Sequence, residues 1–169
     1  LFLNGEYWGI HNIREKFDTR YFSENFNVNP DNLDHLEYTT TQNGTEMLVV
    51  EGTLDHYSTM IDYIMNNDLN NAAIYNEIQQ RMNVDSFIDH IIMTIYCANT
   101  SWGHNREWWR PREENGKWQW LIVDLDRGFN INNSNTNLVD NLKDDYELFQ
   151  YLLNSPFFVD RFVQRSAAH

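Results

Sequence analysis

A helix-rich α+β fold with two β-hairpins is predicted by three observations. Two strand-like segments turn on Asn-Gly pairs, Asn4-Gly5 and Asn115-Gly116, a dipeptide that tolerates the positive φ angles of a tight hairpin. Three consecutive stretches between residues 54 and 98 instead repeat apolar residues at helical spacing. Helices dominate, two hairpins accompany them, and there is no internal repeat and no Pro- or Ser-rich linker, the make-up of an α+β domain.

In chain order, Leu1–Leu3 and Tyr7–Ile13 flank the first Asn-Gly turn, and the second strand ends in Arg14-Glu15-Lys16. Asp18 is the expected N-cap of a short helix ending near Phe26, with Phe17 and Phe22 spaced as a hydrophobic staple. Residues 35–52 read as irregular, with room for a small strand at Glu46–Val50. Thr53 is the expected N-cap of a helix carrying Leu54, Tyr57, Ile61, Ile64 and Met65. A second helix covers Asn71–Met82 and a third Val84–Ala98, where Phe87, Ile88, Ile91, Ile92 and Ile95 form one broad stripe. That stripe marks the third as the central helix of the core. Asn99–Asn105 is a loop. Arg106–Pro111 and Lys117–Asp124 form the second hairpin, with Trp118, Trp120 and Ile122 alternating onto one face. Residues 130–142 are polar and Asn-rich, a long loop. Tyr146–Leu153 is a helix, and Ser155-Pro156 opens the last one, Ser as N-cap and Pro at the first helical position.

Composition narrows the function classes. With 41% hydrophobic and 15% aromatic residues the chain can bury a core, which excludes intrinsic disorder. No apolar run approaches the ~18–20 residues of a membrane-spanning helix. A formal net charge of −13 argues against binding a nucleic-acid polymer. Cys97 stands alone, so no disulfide framework exists. At 169 residues one domain is expected. The sequence starts inside a hairpin and stops without a cap, so the expectation is a partial domain truncated at both ends.

Four features can carry chemistry. Asp124 and Asp126 close a strand that reads as buried, and residues two apart on an extended chain share a face ~6–7 Å apart. Two carboxylates so placed call for compensation, and Mg²⁺ or Mn²⁺ suits carboxylate oxygen. The alternative is that Asp126 pairs with Arg127 or Arg106, or caps a turn. The second feature is the loop Asn99-Thr100-Ser101-Trp102-Gly103-His104-Asn105, where Asn105 can offer an amide oxygen to a metal. His104 there can accept a proton or simply bond a backbone carbonyl. Arg14-Glu15-Lys16 is the third: a cation there can meet a phosphate with Glu15 orienting it, or the run is a solvated strand end. The fourth is a cluster of five Trp within residues 102–120, which either fills the core or exposes rings able to stack on a sugar. Gly-rich phosphate loops, a nucleophile elbow and zinc spacings are absent. The sequons Asn43-Gly44-Thr45 and Asn99-Thr100-Ser101 are short enough to occur by chance.

Together these sites resemble the spore coat protein H (CotH) kinase family. Leu3-Asn4-Gly5-Glu6-Tyr7-Trp8-Gly9-Ile10 with Arg14-Glu15-Lys16 resembles the family's opening strands. Asn99–Trp109, Gly116-Lys117-Trp118-Gln119-Trp120 and Asp124-Leu125-Asp126-Arg127-Gly128-Phe129 resemble its second signature block, and Phe157–Arg165 looks similar to its closing stretch. The resemblance implies a highly diverged protein-kinase-like fold in a secreted or cell-surface protein, of a kind found in bacterial envelopes including those of Bacteroidetes. It implies ATP- and Mg²⁺-dependent (or Mn²⁺-dependent) phosphorylation of Ser/Thr on an extracellular or coat protein substrate. Asp124 then matches the metal-binding Asp, Asp126 its companion, and Asn105 the Asn that holds a second metal. Lys16, or Arg14 beside it, matches a phosphate-contacting cation oriented by Glu15. Ser101 departs from the pattern, standing where the family has its catalytic Asp; a hydroxyl cannot accept the substrate proton as a carboxylate does, and His104 is a substitute base. Three readings therefore remain open: an active kinase, a pseudokinase-like binding or scaffold module, and a carbohydrate- or surface-binding domain.

Overall fold

The computed structural model describes residues 2–9, 15–130, 132 and 135–168. Backbone contacts divide the chain into two units, Leu1–Asp31 and Asn32–His169.

In the first unit, β1 (Phe2–Leu3) pairs with β2 (Glu6–Tyr7) in the expected hairpin. Asn4 at φ 51° and Gly5 at φ 86° supply the two positive angles that the Asn-Gly pair predicted. The second strand is shorter than expected, and its predicted end, including Arg14, lies outside the described residues. Helix α1 (Thr19–Phe26) starts at the expected cap: the Asp18 carboxylate accepts from the amides of Arg20 and Tyr21, each at 3.1 Å. Phe17 packs edge-on against Tyr21, with ring centroids 4.8 Å apart.

The second unit is built on a four-stranded antiparallel sheet in the order β4-β3-β5-β6. Here the sequence expectation needs correction. Residues 35–52 are not irregular; β3 (Leu33–Thr41) and β4 (Gly44–Glu51) form a long hairpin turning at Gln42-Asn43. β3 pairs on its other edge with β5 (Arg106–Pro111), and β5 with β6 (Gln119–Trp120). The hairpins thus number three among the described residues. β6 is shorter than Lys117–Asp124 because its partner β5 begins at Arg106; beyond the bond from the Leu121 amide to the Glu107 carbonyl nothing remains to pair with. The turn between β5 and β6 is closed by Gly116 donating to the Glu113 carbonyl at 3.0 Å, which centres it on Glu114-Asn115, one residue earlier than Asn115-Gly116.

Six helices complete this unit: α2 (Asp55–Met65), α3 (Ala72–Arg81), α4 (Val84–Tyr96), α5 (Leu138–Asp145), α6 (Glu147–Leu152) and α7 (Pro156–Ala168). Asn71 and Asn83 cap α3 and α4 through their side chains, at 2.9 Å to the Ala73 amide and 3.1 Å to the Ser86 amide. Two expected caps are not used. The Thr53 amide instead donates to the buried Asp34 carboxylate, and the Ser155 hydroxyl is buried without a partner. Helix α5 replaces part of the expected 130–142 loop, starting at Asn137, whose amide oxygen accepts from the Asp140 amide. Its buried face is Leu138 and Leu142, one turn apart.

Helix α4 is the core element that its stripe predicted. Phe87, Ile88 and Ile91 are fully buried, and Phe87 packs on Trp120 at 4.8 Å and on Tyr146 at 5.5 Å. All five Trp of residues 102–120 are buried, so the cluster is core and offers no ring to a sugar. Helix α7 docks through buried Phe158 and through Arg161 and Arg165, which bond Asp85 and Asp89 of α4. Ion pairs this exposed are largely offset by hydration, so the apolar contact carries the docking.

One polar group on α4 fixes the strand that follows β6. His90 is buried, and its Nδ1 bonds the Leu121 carbonyl at 3.0 Å, so Nδ1 carries the proton of a neutral ring. Burial lowers its pKa to about 4 from an ordinary 6.5. The folded value lies below the unfolded one, so this contribution to stability is complete above pH 6.5 and is lost as pH falls towards 4. A shift of that size corresponds to roughly 3 kcal/mol. Urea titrations between pH 7 and 4 are expected to show a steeper loss of stability in the wild type than in His90→Gln; equal slopes would refute this assignment.

Candidate functional site

The end of α4 builds the site. Ala98 adopts φ 50°, and beyond it the Asn99 amide donates to the Thr94 carbonyl at 3.1 Å while the Ala98 amide donates to Ile95 at 3.0 Å. This pair of bonds is the Schellman termination, with alanine in the left-handed position that glycine usually takes. Left-handed backbone costs an alanine ~1–2 kcal/mol, so the surroundings must hold it. They do so through Asn99, which is buried.

The Asn99 side chain reaches in two directions. Its Oδ1 accepts from the Ser101 amide at 3.1 Å and from the Ser101 hydroxyl at 3.0 Å, an Asx turn reinforced by a second bond. Its Nδ2 donates to the backbone carbonyl of Asp124 at 3.4 Å. The Ser101 hydroxyl in turn accepts from Asn105 Nδ2 at 3.2 Å. One chain of hydrogen bonds therefore joins Asp124, Asn99, Ser101 and Asn105. The loop between Ser101 and Asn105 is a single 3₁₀ turn, Trp102–His104, anchored by buried Trp102, whose ring stacks on Tyr146 at 5.7 Å and 14°. His104 and Asn105 are half-buried on the turn's outer side.

Asp124 itself is exposed, at φ 47° and ψ 60°. The strand does not continue through it; a 3₁₀ turn, Leu125–Arg127, follows at once. Asp124 and Asp126 therefore do not share one face of an extended chain, contrary to the sequence expectation. Both carboxylates are exposed, and neither forms an ion pair among the described residues, so the pairings of Asp126 with Arg127 or Arg106 are not made. The segment is held against the helix end from its far side: the Phe129 amide donates to the Cys97 carbonyl. At Gly128 an added Cβ would sit 3.1 Å from the Cys97 side chain and 3.0 Å from the Leu125 carbonyl, so any other residue would make these neighbours give by a few tenths of an ångström. Phe129 is left-handed too, at φ 54°. Three left-handed non-glycine residues, Ala98, Asp124 and Phe129, frame the site, the clustering of backbone strain found around functional loops. Burial pushes the Cys97 thiol pKa up, so it stays a neutral packing group.

Among the described residues no group of three or more His, Cys, Asp or Glu side chains converges to cage a metal. The donor set here is smaller: the exposed carboxylates of Asp124 and Asp126 and the amide oxygen of Asn105, whose nitrogen is engaged with Ser101. These are the oxygen donor types that Mg²⁺ or Mn²⁺ takes, binding through one or two carboxylates and keeping water and phosphate oxygens as its other ligands. Glu15 and Lys16 are exposed residues of the first unit. Sequence reasoning passed over Asn99, which organises the site, and His90 beneath it. An Asn immediately after a long apolar helix was the available signal.

The whole chain, residues 1–169, matches the CotH kinase protein family, and it belongs to that family. No curated protein and no solved structure matches it.

Removing the Asn99 side chain would leave the buried Ser101 amide and hydroxyl without their acceptor and free the Asp124 carbonyl. Asn99→Ala is expected to lower stability by about 2–3 kcal/mol in urea unfolding, more than one exchanged hydrogen bond. A loss below about 0.5 kcal/mol would show that the bond chain does not hold the site.

Proposed function

We propose that this domain is an ATP-dependent phosphotransferase that acts on Ser/Thr of an extracellular or coat protein, in a secreted or cell-surface setting. The observation supporting this reading is the Asn99 bond chain, which brings the backbone of Asp124 and the side chain of Asn105 to one place although they are far apart in sequence. Family membership supplies the general class, a kinase-like domain. Asp124 and Asp126 would hold the metal through their carboxylates, and Asn105 would offer its amide oxygen to a second one. The family resemblance assigns phosphate contact to Arg14 or Lys16 and the orientation of that cation to Glu15. Mg²⁺ or Mn²⁺, when bound, neutralises charge on the transferred group. Positioning and charge compensation, rather than covalent chemistry, are the work of these residues.

A specific observation favours a second reading, a pseudokinase-like binding or scaffold module. The Ser101 hydroxyl is buried and committed at both ends, donating to Asn99 and accepting from Asn105. A neutral hydroxyl held in this way is no base for a substrate proton. His104, half-buried on the same turn, is the group available as base in the active reading.

Labelled ATP with Mg²⁺ or Mn²⁺ and a Ser-rich protein separates the two. Slow incorporation is expected for the wild type, none for Asp124→Asn, and a gain of about 10²-fold or more for Ser101→Asp, the scale of a restored general base. A thermal shift with Mg-ATP but no incorporation by either wild type or Ser101→Asp would support the binding module. No thermal shift with Mg-ATP would overturn both.

A further inference from the structure

Arg106, the first residue of β5, is a buried cation without an anionic partner. Its guanidinium lies between two aromatic rings, 4.3 Å from the centroid of Tyr38 and 4.4 Å from that of Tyr146, with Trp102 at 5.5 Å. Cation–π contacts stabilise the charge across its faces, but the hydrogen-bond donors of a guanidinium lie along its edge. One long bond, 3.4 Å, runs from Nη2 to the Gly103 carbonyl. Nε is buried with no acceptor, and no carboxylate pairs with Arg106 among the described residues. Every other paired arginine of this unit has an Asp or Glu: Arg81 has Glu77, Arg110 and Arg112 share Asp34, and Arg161 and Arg165 bond Asp85 and Asp89. A second orphan sits two residues along the same face of β5, the buried indole Nε1 of Trp108.

Arg106 and Trp108 both line a cleft of about 340 Å³. Its walls are aromatic and apolar, formed by Tyr38, Tyr57, Ile61 and Leu148, and three exposed carboxylates, Asp62, Asp145 and Glu147, also border it. That volume lies in the range of small-molecule sites, and an apolar wall with a few convergent polar groups is their usual make-up. The two orphan donors ask for a carboxylate-like acceptor. The three acids repel a simple anion and attract a cationic group.

We infer that this cleft binds a zwitterion of the α-amino-acid class, with its carboxylate towards Arg106 and Trp108, its ammonium towards the acidic border, and an apolar side chain against the aromatic wall. This site does not depend on the phosphotransferase reading. It is joined to the Ser101–Asn105 loop, because Arg106 bonds Gly103 and shares the Tyr146 ring with Trp102.

Three probes dissect the claim: L-phenylalanine, 3-phenylpropionate, which lacks the ammonium, and phenethylamine, which lacks the carboxylate. Each is titrated into the whole chain and followed by calorimetry and by the indole ¹H–¹⁵N signal of Trp108. Phenylalanine is expected to bind and shift that signal, and each half-molecule to bind at least about tenfold more weakly. Arg106→Gln should remove phenylalanine binding. Because that variant alters a buried residue, the exposed pair Asp145→Asn and Glu147→Gln provides a second arm: it should weaken phenylalanine and strengthen phenylpropionate. No Trp108 shift with phenylalanine, equal binding of either half-molecule, or border variants that leave the preference between phenylalanine and phenylpropionate unchanged would each overturn the proposal.

Discussion

The way helix α4 ends governs the arrangement of the second unit's polar site. The helix is stopped by an alanine in left-handed backbone, and Asn99 immediately beyond it is turned inward. From that one position a short amide side chain reaches forward to Ser101 and across to the Asp124 carbonyl, 25 residues away. Neither the loop to Asn105 nor the turn at Asp124 belongs to regular sheet or a long helix, so each relies on side chains to satisfy its backbone. Asn99 serves both, and Gly128 lets the acidic turn settle against the same helix end. Two segments are thus referenced to one rigid helix terminus, the condition for holding small polar groups in fixed relation.

Beneath this lies an aromatic core that makes the terminus rigid. Phe87 of α4 touches Trp120, Tyr146, Phe149 and Phe158, which come from a strand and three other parts of the chain. Trp120 Nε1 donates to the Tyr146 hydroxyl at 3.1 Å, so even the polar edge of this cluster is satisfied internally. The bulk acidity of the chain sits elsewhere, on exposed surface and around the Arg106 cleft. A net charge of −13 is therefore a property of the periphery, while the interior carries its charges in a few paired or ring-stacked groups such as Asp34–Arg110 and Arg106. No helix among the described residues is long and apolar enough to cross a membrane.

Local signals in the sequence translated well where local physics decides. The stripe of α4, the Asn4-Gly5 turn, the Asp18 cap and the β5–β6 pairing all depend on neighbours within a few residues. β3 was hidden because it is a central strand, buried on both faces at Leu33–Leu36, and so shows no alternation. Its polar residues Asp34 and His35 are tolerated inside only because Arg110 and Glu107, more than seventy residues away, meet them. Helix α5 was hidden because two leucines carry its buried face in an otherwise polar stretch. In the site, the loop Asn99–Asn105 and the acidic pair were legible as chemistry-bearing types. The bond that joins them was not, since a side-chain amide bonded to a distant carbonyl leaves no periodicity. The φ of 47° at Asp124 likewise reflects tertiary contacts, and it replaced an extended strand end by a tight turn.

In the proposed function Asp124 and Asn105 share one metal-nucleotide position organised by Asn99. Paramagnetic broadening by Mn²⁺ in the presence of ATP tests it most directly, read on backbone amides and on the Asn side-chain amides. The Asn105 side-chain amide and the backbone amides of Leu125–Phe129 are expected to broaden first and together, and Asp124→Asn to remove the effect. Broadening that begins elsewhere, or that reaches Asp124 without Asn105, would contradict it.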